Sequence, residues 1–310
     1  MPAQGHRRRR WRPGWSLDLA AVLGPLHRGR HDPTFRTGPD GARWRATRTP
    51  DGPATLSLRV RADVGEVDAG AWGPGADWVL DGLPALLGDD DDPSGFEPRH
   101  DVVREVWRRH HGWRVPRTRR VLESLVPAVL EQKVTGREAW RAFSALVRRY
   151  GERAPGPVDH LVGGLWVQPD GRTWATVPSW HWHRAGVDLS RSRTAVTAAA
   201  SAGRLERLCD VPPAEAATRM RSLPGVGVWT AAEVGQRALG DADAVSVGDF
   251  HLARLVGWAL VGEVVDDDAM LELLEPYRGH RYRAVRMIEM SGQGPPRRGP
   301  RYEGRDYRAM

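Results

Sequence analysis

The sequence is short of three things, and each shortage excludes something. Cys209 is the only cysteine in 310 residues, which rules out an intramolecular disulfide and any four-cysteine metal or iron–sulfur site. Lys133 is the only lysine among 46 lysines and arginines, so a lysine nucleophile has a single candidate. No run approaches the roughly 18 to 20 apolar residues of a membrane-spanning helix. The basic start "MPAQGHRRRRWRPGWSLDL" is not followed by the apolar stretch of a secretory signal, so a cytoplasmic protein without a membrane partner is expected.

What is present is charge, nearly all of the positive part from arginine. The net charge is +7, and guanidinium groups favour phosphate, so a polyanionic partner fits. Arginine in place of lysine also follows from a high-GC genome, so charge alone leaves nucleic acid undecided. With 40% apolar residues the chain reads as soluble and globular, with length for two domains or one large one.

Along the chain, residues 1–12 read as a disordered basic N-terminus. Residues 13–98 read as a small α+β domain with an antiparallel sheet. There "TFRTG", "ARWRATRT" and "ATLSLRVRA" alternate, and Leu56, Leu58 and Val60 make one apolar face with the other side wet. "GDDDDPSGFEP", from Gly88 to Pro98, is a linker at the end of that domain. Its aspartates, Asp89 to Asp92, are weighed as a divalent-cation site and as a solvated acidic loop, and the loop is favoured. Residues 99–290 then follow helical spacing. Leu122, Leu125, Val126, Val129 and Leu130 share a face, Thr135 can cap the next helix, and more helices are expected near 191–202, 213–222, 228–239, 249–261, 267–275 and 279–290. Residues 291–310 read as a flexible basic tail.

"SLPGVGVWT", Ser222 to Thr230, sits between two helix-compatible segments and is the turn of a helical hairpin. Taken alone it is an ordinary turn twice as readily as a functional one. The other reading is a phosphate clamp: Gly225 and Gly227 uncover backbone N–H groups at the start of a helix, where unpaired amides and the helix dipole favour an anion. Such a contact positions DNA without reading its bases.

"LPGVGVWTA" is similar to the hairpin of the helix-hairpin-helix DNA glycosylases, whose signature is L-P-G-[VI]-G-x-x-T-A. The family carries an aspartate about twenty residues later, after a Gly/Pro-containing loop, and "GDADAVSVGDFHLARL" places one at Asp249. The chain departs at Val247, where the family commonly has proline. The resemblance implies a mainly α fold, an all-α helix-hairpin-helix glycosylase domain behind the small sheet domain. It also implies that Asp249 is catalytic, its carboxylate stabilising an oxocarbenium-like sugar and directing water. Asp249 is equally placed to cap the next helix, and the two roles are compatible.

Bifunctional members have a lysine where this chain has Trp229, so a monofunctional enzyme is implied, acting in base excision repair by base flipping. Trp229, the preceding sheet, "ESLVPAVLEQKVT" and "EPYRGHRYRAVRMIEM" resemble the bacterial 3-methyladenine DNA glycosylase II group. That resemblance implies duplex DNA with alkylated bases as substrate, a monomer, and no cofactor or metal. It places Trp229, Tyr277 and Gln132 in the base pocket, the rings stacking on a cationic base. Gly225, Gly227 and Thr230 are expected on the DNA backbone. Lys133 stands where the group has an apolar wedge. Glu233 replaces an aromatic and is expected to pair with Arg237. "PSWHWHRAGVDLSRSR" is weighed as a metal site through His181 and His183, and as aromatics at an interface or pocket mouth, which is favoured. The reading from another class is a non-catalytic helix-hairpin-helix DNA-binding protein.

Overall fold

The computed structural model of the chain describes residues 6–296. Five strands form one antiparallel sheet: β1 (Arg7–Trp11), β2 (Phe35–Thr37), β3 (Arg43–Thr49), β4 (Gly52–Arg61) and β5 (Glu66–Trp72). Their order in space is β1, β5, β4, β3, β2. β3 and β4 join through Pro50 and Asp51, with Thr49 opposite Gly52.

Two expectations about this region are corrected. Arg7–Trp11 is a strand, not disordered; residues 1–5 lie outside the described residues. The arginine run is held as a strand by antiparallel pairing with β5, from Arg7 opposite Ala71 to Trp11 opposite Val67, and exposed ion pairs of Arg7 with Asp77, Arg10 with Asp68 and Arg12 with Glu66 flank it. The second face of the sheet is also less wet than its alternation implies. Trp44 and Ala46 pack with Ala154, Val158, Leu161 and Leu165, and the Thr55 hydroxyl donates to the Pro155 carbonyl at 2.6 Å. A loop more than ninety residues further along covers that face, which strand periodicity cannot register.

The helices that build the rest are α1 (Asp101–Arg109), α2 (Val121–Glu131), α3 (Gly136–Tyr150), α4 (Ser179–Ala185) and α5 (Leu189–Ala200). They continue with α6 (Pro213–Met220), α7 (Val228–Val234), α8 (Leu252–Val261), α9 (Asp267–Leu274) and α10 (Arg281–Ser291). Thr135 caps α3 as expected, in a reciprocal capping box with Glu138. Residues 297–310, most of the expected tail, lie outside the described residues.

The cores do not divide at residue 98. Residues of α2, α3, α5 and α7 close one core around Leu125, Phe143 and Trp182. The other face of the sheet, with Leu56, Leu58 and Ala69, packs into a second core with α1, α8, α9 and α10. The sheet therefore shares its interior with the last third of the chain.

The acidic loop is part of that join, and Asp91 corrects the solvated reading. Its carboxylate meets the Arg283 guanidinium at 2.6 Å, with side-chain exposures of 5% and 0%, and also accepts the Val115 N–H. Arg283 lies over the rings of Phe96, Trp107 and Trp113. Asp90 pairs with Arg117, and Asp92 caps Ser94.

Candidate active site

The hairpin follows from its glycines. Gly225 has φ +83°, and a Cβ there would lie 2.0 Å from Thr194 Oγ1 on α5, so both conformation and contact require glycine. Gly227 is extended (φ −94°, ψ −173°), and its carbonyl accepts the Ala231 N–H to begin α7. Pro224, Gly225, Gly227 and Val228 are exposed. The first turn of a helix has no intrahelical partners for its N–H groups, so the start of α7 points unpaired donors outward.

Gln132 and Thr230 hold this turn from behind. Gln132 Nε2, at the end of α2, donates to the Gly225 carbonyl at 2.9 Å and to Thr230 Oγ1 at 2.8 Å. Thr230 is buried, so its hydroxyl braces the hairpin and is not offered to a phosphate. Gln132 spends its amide on the same brace, where the sequence reading places it against a base. Lys133 follows, exposed and at φ +55°, on the tip between α2 and α3. The signal missed is that a buried threonine two residues into a helix needs a donor, and Gln132 supplies it.

Asp249 and Trp229 are brought together. Asp249 Oδ1 accepts the N–H groups of His251 (2.8 Å) and Leu252 (3.0 Å), which caps the start of α8. Oδ2 accepts the indole N–H of Trp229 at 3.2 Å. Three donors therefore fix the carboxylate, and one of them comes from the hairpin helix. The loop before it is fixed too: Asp243 accepts the N–H groups of Gly279 and Arg281 and pairs with the Arg281 guanidinium. Burial would raise the Asp243 carboxyl, but its bonds from Arg281 outweigh this and hold it below the usual carboxylate range.

A cavity of about 140 Å³ opens beside Asp249, walled by Glu233, Gln236, Arg237, Ser246, Tyr282 and Arg286 among others. Glu233 pairs with Arg237 at 2.8 Å, as expected from their i, i+4 spacing, and also accepts the Ser246 hydroxyl at 2.7 Å. Burial opposes the charge on Arg237, yet Glu233 more than offsets it and the guanidinium is raised. Burial pushes the Tyr282 hydroxyl up to about 12, so it enters the wall as a neutral donor. Tyr282 and Ser246 are wall residues that sequence reasoning missed, since neither belongs to the motif.

Trp229, expected on that wall, does not line it and bonds Asp249 instead, and Tyr277, expected there too, lies elsewhere. Tyr277 is 2% exposed, packs near Phe96, and its hydroxyl accepts the His100 N–H at 3.0 Å. The Trp/His segment divides. Trp182 is buried and stacked on Trp174, His181 bonds Tyr150, and Trp180 is exposed. Among the described residues no cluster of three or more His, Cys, Asp or Glu is placed to hold a metal, and no helix is long and apolar enough to cross a membrane.

No protein-family model matches the chain. A stretch of 155 residues, 48% of the chain, is 34% identical to the probable bifunctional transcriptional activator/DNA repair enzyme AlkA of Mycobacterium tuberculosis. The match covers 29% of that relative, so the chain spans under a third of it. Among solved structures, a 3-methyladenine DNA-glycosylase from Archaeoglobus fulgidus has TM-score 0.72 at 17% identity, covering 91% of this chain and 98% of that one. The 8-oxoguanine glycosylase/lyase of Clostridium acetobutylicum, in complex with double-stranded DNA, has TM-score 0.70 at 10% identity, covering 93% and 97%. A sheet joined to a helical body, a glycine hairpin braced from α2, and an aspartate tied to the hairpin helix are thus held in the same overall fold. The chain has the fold of these DNA glycosylases, and about half of it is similar in sequence to part of the AlkA relative.

Proposed function

We propose that the chain is a monofunctional DNA N-glycosylase that removes alkylated bases from duplex DNA in base excision repair. The observation that carries this is the Trp229–Asp249 hydrogen bond, which couples the hairpin to the carboxylate. A phosphate held at the hairpin amides would then sit at a set distance from Asp249.

The surroundings support the same reading. Lys133, Arg193, Arg221 and Arg254 are exposed, and none has a carboxylate partner among the described residues. They flank the hairpin and Asp249 in sequence or across the Gln132 and Thr194 contacts, and suit a polyanion. An extruded base would enter the cavity beside Asp249. As its C1′–N bond breaks, the base leaves with the electron pair and positive charge grows on the sugar, which the carboxylate opposes. Water then adds its oxygen to C1′ and loses a proton to Asp249 or to solvent. A cationic alkylated purine leaves neutral, so this scheme needs no general acid. Because position 229 holds tryptophan, no amine stands beside Asp249 on α7 to form an imine.

The test is base release from duplexes bearing 3-methyladenine, 7-methylguanine, hypoxanthine or ethenoadenine. The native chain releases one or more of them, and Asp249→Asn binds the same duplex while release falls at least a hundredfold. Release at the native rate by Asp249→Asn removes the catalytic role. Duplex binding without release by the native chain turns the reading to a non-catalytic DNA-binding protein.

A further inference from the structure

Phe250 is 83% exposed, an aromatic ring left in water beside the residue that the proposed reaction depends on. Isolated exposed apolar side chains are common, so exposure alone assigns nothing. Its setting is what distinguishes it. Both oxygens of Asp249 are bonded, to His251, Leu252 and Trp229, so the backbone that carries Phe250 is fixed and not a loose loop. The ring meets His251 edge-on, with centroids 4.9 Å apart and planes at 86°. Val228, next to Trp229 on the hairpin helix, is also 43% exposed, so apolar surface lies on either side of the Trp229–Asp249 bond. Arg254, four residues after Phe250 on α8, is an exposed cation without a carboxylate partner among the described residues. Phe250 stands in sequence between the carboxylate and that cation, and its exposed ring suits the one part of DNA that is flat and apolar, the base stack.

The other side chain that could enter the stack here is Lys133, on the tip whose neighbour Gln132 braces the hairpin. It carries a charge that would have to be desolvated among bases, whereas at a phosphate the same charge is useful. We infer that Phe250 inserts into the base stack and fills the gap left by the extruded nucleotide, while Lys133 contacts the backbone. This rests on the proposed reading of the chain as a DNA glycosylase. It adds a residue outside the hairpin, the carboxylate and the cavity, and assigns it to opening the duplex.

The experiment uses the full chain and a duplex with a tetrahydrofuran abasic analogue, with 2-aminopurine as the base opposite it. Binding of the native protein changes the 2-aminopurine fluorescence as the ring stacks. Phe250→Ala binds about tenfold more weakly and loses that change, Phe250→Leu retains part of it, and Lys133→Ala retains it in full. Base release by Phe250→Ala falls at least tenfold on duplex and stays within twofold on single-stranded DNA, where no gap opens. A thermal melt matching the native chain shows that Phe250→Ala is folded, as its exposure implies. If the native chain binds the duplex but Phe250→Ala gives the native fluorescence and rates, the inference fails while the enzyme reading stands. Loss of the change in Lys133→Ala instead assigns the insertion to the lysine. If the native chain binds neither duplex nor releases any base, both fail.

Discussion

The indole N–H of Trp229 donates to the carboxylate of Asp249 across 3.2 Å, joining the helix that starts at the hairpin to the start of the helix that carries the acid. Trp229→Phe keeps an aromatic ring and removes only this donor. Base release is expected to fall about tenfold, with a stability change of about 1 kcal/mol or less. Kinetics on a released base, alongside urea denaturation, separate the two effects. An unchanged rate would mean that the two N–H groups at the helix start orient the acid by themselves.

Gly225→Ala forces an L side chain to φ +83° and pushes a Cβ to 2.0 Å from the Thr194 hydroxyl. A loss of about 1–3 kcal/mol is expected from conformation and clash together. Gly227 has open space where its Cβ would be, and it is extended, so Gly227→Ala should cost much less stability and show its effect mainly in DNA affinity. Denaturation midpoints and duplex binding of the two variants check this contrast.

Asp91→Asn leaves the Arg283 guanidinium buried without its counter-charge. The expected loss is about 3–5 kcal/mol, the scale for breaking one partner of a buried pair. Asp91→Leu combined with Arg283→Met removes both charges and should cost less than Asp91→Asn alone. Equal losses would mean that the rings around Arg283, and not the ion pair, set the stability.

Asp243 gives an acid-side signature. Its folded carboxyl is held below the ordinary value, so its contribution is present above the unfolded pKa, about 4, and is lost as pH falls through the lower folded value. Stability of the native chain should therefore fall below about pH 4 more steeply than that of Asp243→Asn. Denaturation across that window tests the sign.

Binding to undamaged duplex should weaken as salt rises, and replacing Arg193, Arg221 or Arg254 singly by alanine should reduce the logarithmic salt slope by about 1. A flat native affinity would remove the phosphate role of the hairpin and these cations together. Borohydride added during base release should trap no protein–DNA adduct, since Trp229 occupies the position of the lysine that would form one.

The hairpin turn and the cap that Asp249 makes on α8 are legible because local backbone needs set them, a positive φ and a helix start, whereas the bond between Trp229 and Asp249 is not. Glu233 and Arg237 were legible because they stand one helical turn apart. Thr230, Gln132 and Tyr277 were placed on DNA or base, yet the first two bond each other and the third is buried against residues near position 100. The four aspartates read as solvated because the arginine that meets Asp91 lies 192 residues away. β1 was missed because its pairing with β5, remote in sequence, and not its own composition, makes an arginine run into a strand. In each case the deciding neighbour is remote in sequence, and no window along the chain contains it.

The interior shared by the sheet and α8 to α10 has a consequence during synthesis. The sheet is translated first and the helix Ala76–Asp81 that packs on β4 and β5 follows at once, but the part of the same core from Val245 to Ile288 is translated last. A nascent chain would carry that core only partly closed until nearly all of the protein has left the ribosome. The core of α2, α3, α5 and α7 has no such wait, so it can consolidate first and the sheet dock last. Assembly order would then run from the middle of the chain outward, completing the loop that carries Asp249 only in the final step.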